Sequence, residues 1–162
     1  MFAFLLIDAS RCTSPKRLGD DNQAARTFKV ALKTCRFCLD HENLELALKV
    51  LERCADYVSA VEETQPIVRI TEGPDEDKHD RQLTMKRFVV EYHLLRITHA
   101  WKTERYDVAE LFFSKVGYET LVESTTLAEK AADLFHEAGR FMARKKAIEP
   151  AVVWCELSLI HI

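Results

Sequence analysis

The stretch LAEKAADLFHEAGRFMARKKAIEPAVVWCE, residues 127–156, decides how this chain folds. Ala131, Phe135, Ala138 and Met142 recur at steps of three and four, the period of one apolar helix face. Just ahead, Thr126 and Glu129 stand at capping-box spacing, which predicts that a helix opens there. The pattern lapses at RKKAIEP. Pro150, whose missing amide is tolerated in a first turn, then starts a second helix. Two helices joined by so short a turn form an antiparallel hairpin. Gly139 on the first and Ala151 on the second supply the small side chains that a close crossing demands.

Working outward, the same reading applies twice more. Phe28, Ala31, Cys35 and Cys38 mark one amphipathic helix, and LDHEN breaks it. Leu44, Ala47, Leu48, Leu51, Cys54, Ala55 and Val58 mark its partner, to about Glu63. A third helix, Arg81 to about Lys102, has two apolar faces. Val90, Leu94, Ile97 and Trp101 form one, and Met85, Phe88, Tyr92 and Leu95 the other, so neighbours are expected on both sides. A turn at KTERY leads to a fourth helix with Val108, Ala109, Leu111, Phe112 and Val116. Superposing the second helices aligns Ala47, Ala109 and Ala151, spaced by 62 and then 42 residues (109 − 47 and 151 − 109). Leu51, Phe113 and Cys155 follow four residues on, then Cys54, Val116 and Ser158. Twelve residues before each alanine lie Cys35, Ile97 and Gly139. This ladder of small residues resembles that of tetratricopeptide (TPR) repeats. The expected fold is all-α: about three antiparallel helix pairs in a TPR-like solenoid, wound as a right-handed superhelix.

The remaining segments are read by composition. TQPIVRITEGPDEDKHD, residues 64–80, carries two prolines and an acidic run, and is expected as an exposed loop. Its plain role is a solvated connection; its sharper one is acidic docking or phosphorylation. Residues 1–20 read as the tail of a preceding helix and a loop, because MFAFLLI lacks the basic flank of a signal peptide and is too short to cross a membrane. One reading frame of a common transposon-derived sequencing adapter encodes LSLIHI. Residues 157–162 are therefore expected to be a scar, with native sequence ending at Glu156. The 162 residues suit one domain, and 48% hydrophobic against 30% charged residues is a globular balance. Only 4 Gly and 4 Pro argue against the many turns of an all-β domain, and a net charge of −3 offers no basic nucleic-acid footprint. Five cysteines make an odd set, simplest in a reducing compartment.

Chemistry-bearing residues are sparse. Cys35-x-x-Cys38 with His41 and Cys54 has the residue types of a zinc or redox site, but the cysteines fall on a buried helical stripe and not on turns that could wrap an ion. They are expected to act as small hydrophobes. His93 and His99 are six apart, which is not the spacing of two ligands on one helix face, and His136–Glu137 has no second histidine at zincin distance. No Gly-rich phosphate loop or Gly-x-Ser-x-Gly elbow occurs, so no catalytic residue, metal or cofactor is expected. By analogy with TPR arrays, the first helix of each hairpin would line a groove. Lys29, Leu32 and Arg36, then Leu94, Thr98 and Trp101, then His136, Arg140 and Arg144 would face a peptide with acidic and apolar residues. The plainer reading makes each an ordinary helix position.

Three stretches carry a more specific likeness: ALKTCRFCLDHENLELALKVLERCADYV, EYHLLRITHAWKTERYDVAELFFSKV and LAEKAADLFHEAGRFMARKKAIEPAVVWCE. Together, over roughly residues 25–157, they resemble the fungal members of the meiotic TPR family of sporulation-specific, Zip-type proteins, whose animal counterpart is testis-expressed. EYHLLR before YDVAELFFSKV, and LFHEAGRFMARKK before VVWCE, are the most telling orders. The resemblance implies a nuclear, chromosome-associated scaffold without enzymatic activity. Such proteins help assemble the synaptonemal complex, promote crossovers and act as hubs for other crossover factors, including a pair related to structure-specific endonucleases. It implies no direct nucleic-acid contact, no membrane and no small-molecule substrate. Family members are longer, so this chain would be a fragment. The alternative is a TPR adaptor of a chaperone or transport assembly, although no Lys/Asn/Arg carboxylate clamp is found in the first helices.

Overall fold

The computed structural model describes residues 21–63, 76–116, 118–146 and 148–160, and all regular structure among them is α-helical. The helices are α1 (Asp21–Asp40), α2 (Leu44–Glu63), α3 (Glu76–Lys102), α4 (Tyr106–Phe113), α5 (Tyr118–Val122), α6 (Thr125–Arg144) and α7 (Ile148–Ile160). The chain divides between Tyr92 and His93, inside α3, into two compact units.

In the first unit α1 and α2 form a hairpin. The turn is built from backbone geometry, because Glu42 adopts a left-handed φ of 58°. Its amide donates to the Leu39 carbonyl at 3.2 Å, and the Asn43 amide to that of Cys38 at 2.8 Å. These bonds satisfy carbonyls that the end of α1 would otherwise orphan. Asn43 also opens α2: its carbonyl accepts from the Ala47 amide and its Oδ1 from the Leu46 amide at 3.3 Å. Phe28, Ala31, Leu32, Cys35 and Leu39 meet Ala47, Val50, Leu51 and Cys54 in a core where none is more than 2% exposed. Phe28 stacks on Tyr57 at 5.7 Å and meets Phe88 of α3 edge-on at 6.0 Å.

The second unit repeats the turn. Glu104 (φ 60°) and Lys146 (φ 62°) hold the same left-handed conformation. Glu104 donates to the Trp101 carbonyl at 3.1 Å, Arg105 to Ala100 at 2.8 Å, and Lys146 to Ala143 at 3.0 Å. Each left-handed residue stands five positions before an alanine of the ladder, and Ala47, Ala109 and Ala151 are at most 5% exposed. The three turns thus share one spacing to the buried alanine that follows. Ring contacts agree: His93–Phe112 at 5.8 Å and Phe135–Trp154 at 5.6 Å occupy equivalent positions of successive hairpins. Phe113 of α4 then packs on both Phe135 and Trp154, at 5.3 and 5.9 Å, and joins α4 to the α6–α7 pair.

The structure corrects several local expectations. The capping box at Thr126 and Glu129 does not form: Ser124 is the N-cap, without a side-chain cap bond, and α6 starts at Thr125. The acidic stretch expected as loop to residue 80 is already helical from Glu76, since Glu, Lys and Asp in sequence do not forbid a helix as Pro74 and Gly73 before them do. α4 ends at Phe113, so Val116 lies in a turn, and the short α5 had no periodic signal. The expected N-terminal tail, most of the acidic loop and the end of the LSLIHI hexapeptide lie outside the described residues.

Gly139 shows why the crossing is small. A Cβ there would collide with Cys155 Sγ and stand 3.1 Å from the Ala151 carbonyl oxygen and 3.2 Å from the Cys155 nitrogen. The sulfur could rotate; the backbone of α7 could only move away. Gly139→Val should therefore lower the stability of the chain by roughly 1–3 kcal/mol in urea unfolding followed by circular dichroism. Lys130→Ala, at an exposed site of the same helix, should change it by less than about 0.5 kcal/mol. Equal effects would mean that α6 and α7 do not cross at Gly139.

His93 supplies a second test. It is 3% exposed, and burial, then the charges of Lys115 and Arg96, pull its pKa down to about 4. An unfolded histidine titrates near ~6.5 and takes up a proton that the folded chain refuses. Stability is therefore complete above that value and is lost as pH falls toward 4, by on the order of 3 kcal/mol. His93→Phe should flatten this slope in pH-dependent urea titrations, whatever it does to stability at neutral pH. An unchanged slope would contradict the burial of a neutral imidazole.

Candidate functional site

The nine residues expected to line a groove separate into three groups. Leu32, Leu94 and Trp101 are core residues, at 1%, 6% and 3% exposure, and are not available to a ligand. The Trp101 ring packs on Phe141 of α6 at 5.1 Å, and its indole N–H finds no acceptor among the described residues. Arg36 and Thr98 are partly covered. Arg36 forms an ion pair with Glu91 of α3, and the Thr98 hydroxyl donates to the Leu94 carbonyl of its own helix at 2.9 Å. Lys29, His136, Arg140 and Arg144 are exposed.

One geometric cause explains this division. The helical period puts Phe28, Leu32, Arg36 and Leu39 on one face of α1, and that face receives α3, through Phe28–Phe88 and Arg36–Glu91. The equivalent face of α3 carries Val90, Leu94, Thr98 and Trp101, and Trp101 receives Phe141 of α6. Part of the expected lining is thus covered inside each unit, by Glu91 against Arg36 in the first and by Phe141 against Trp101 in the second. On α6 the same face carries Ala132, His136, Arg140 and Ala143. Ala132 is buried, and the last three are exposed.

The exposed part of this face is cationic. His136, Arg140 and Arg144 lie one turn apart, and neither arginine has an ion-pair partner among the described residues. Arg144 and Lys145 sit at the C-terminal end of α6, where the helix dipole favours positive charge. Lys145 is engaged: its Nζ meets Glu104 at 2.9 Å and lies 5.6 Å over the Phe141 ring. Guanidinium groups in this setting bind carboxylates, with two parallel hydrogen bonds where geometry allows. Both partners of the Lys145–Glu104 pair are more than half exposed, so that pair orders the surface more than it stabilises the fold.

The cysteines behave as the helical stripe predicts. Cys35, Cys38 and Cys54 are buried free thiols, and burial pushes the Cys38 thiol above its ordinary pKa, away from the reactive thiolate. Among the described residues no cluster of three or more His, Cys, Asp or Glu side chains could hold a metal ion, and no helix is long and apolar enough to cross a membrane. Sequence reasoning missed the exposed apolar residues of α7, Ile148, Val152 and Val153. That helix is apolar at most of its positions, so no periodic contrast marks which side is covered.

No family model, no curated protein and no solved structure matches the chain.

The Arg36–Glu91 pair is 41% and 18% exposed, which places it between a surface and a buried ion pair. A double-mutant cycle with Arg36→Ala and Glu91→Ala should give a coupling of about 0.2–1 kcal/mol in urea unfolding. Zero coupling would mean that α3 does not close this face of α1.

Proposed function

We propose that the protein is a non-enzymatic protein–protein interaction scaffold of meiotic recombination. It acts in the nucleus on chromosomes, promotes crossover formation and assists assembly of the synaptonemal complex. Its hairpins follow one another in a TPR-like solenoid, and its partners are other crossover and synapsis proteins. The observation that carries the reading is the repeated turn, left-handed at Glu42, Glu104 and Lys146 and followed five residues on by a buried alanine each time. That spacing runs through the three stretches on which the resemblance to the sporulation-specific, Zip-type family rests. Arrays of helix pairs suit such work, because they present a long row of helix faces with a modest core per repeat. The exposed row His136, Arg140 and Arg144 is the partner contact that the described residues favour.

The test joins timing to partners. The transcript and protein should be present in meiotic cells and absent from vegetative ones. The tagged protein should co-purify from meiotic extracts with synapsis and crossover factors, and joint charge reversal, Arg140→Glu with Arg144→Glu, should lower that recovery about tenfold, the loss of roughly 1.4 kcal/mol. Constitutive cytoplasmic expression would overturn the meiotic assignment in favour of an adaptor in another assembly. Undiminished recovery with the double variant would remove the α6 row from the contact.

A further inference from the structure

We draw no further inference here: the strongest candidate, the exposed apolar patch of α7 formed by Ile148, Val152 and Val153, carries nothing because nothing in the structure shows what covers it.

Discussion

At the crossing of α6 and α7 there is no space for a side chain on Gly139, because the Ala151 carbonyl and the Cys155 backbone already lie within contact distance of where its Cβ would be. A helix pair that shares a three-residue turn must cross near that turn, and the residues at the crossing decide how closely the axes approach. The first hairpin meets the same demand less severely: Cys35 fits its sulfur 4.0 Å from the Ala47 carbonyl. Close approach lets apolar rings such as Phe135 and Trp154 reach across the pair and fill the space beyond. The large residues are thus positioned by the small ones.

The second constraint is the turn. A left-handed φ usually falls to glycine or asparagine, yet Glu42, Glu104 and Lys146 adopt it. All three are exposed, so their side chains cost nothing in packing, and the hydrogen bonds that close each helix end offset the backbone strain. This part of the fold was not legible in the sequence, since no residue type marks the turn. The register was legible, because an alanine five positions later must be small for reasons that composition shows. The capping box failed for a related reason. Ser124, Thr125 and Thr126 are all acceptable caps, and tertiary packing, not local chemistry, chose among them.

The candidate site shows the limit of periodicity more sharply. A helical period tells which residues share a face, but not what lies against that face. Leu32, Leu94 and Trp101 share faces with Arg36 and Thr98, and a groove lining and a seam between helices have the same signature. The Phe28–Phe88, Arg36–Glu91 and Trp101–Phe141 contacts show what covers these residues. The informative sequence signal was the change of residue type along equivalent positions. Phe28, Val90 and Ala132 shrink in turn, while Leu32 and Leu94 give way to His136. Where His136 and Arg140 replace apolar or neutral residues, the side chains are exposed, while Ala132 on the same face stays buried.

Helix pairs cross at Cys35 with Ala47 and at Gly139 with Ala151, and the repeated turn spacing predicts the same crossing at Ile97 with Ala109. Solution NMR on the isotope-labelled chain tests it directly, through nuclear Overhauser contacts between the α and β protons of each pair. Contacts are expected at all three crossings, together with left-handed backbone shifts at Glu42, Glu104 and Lys146. Contacts displaced by one or more residues at any crossing, or ordinary helical shifts at any of the three turns, would contradict it.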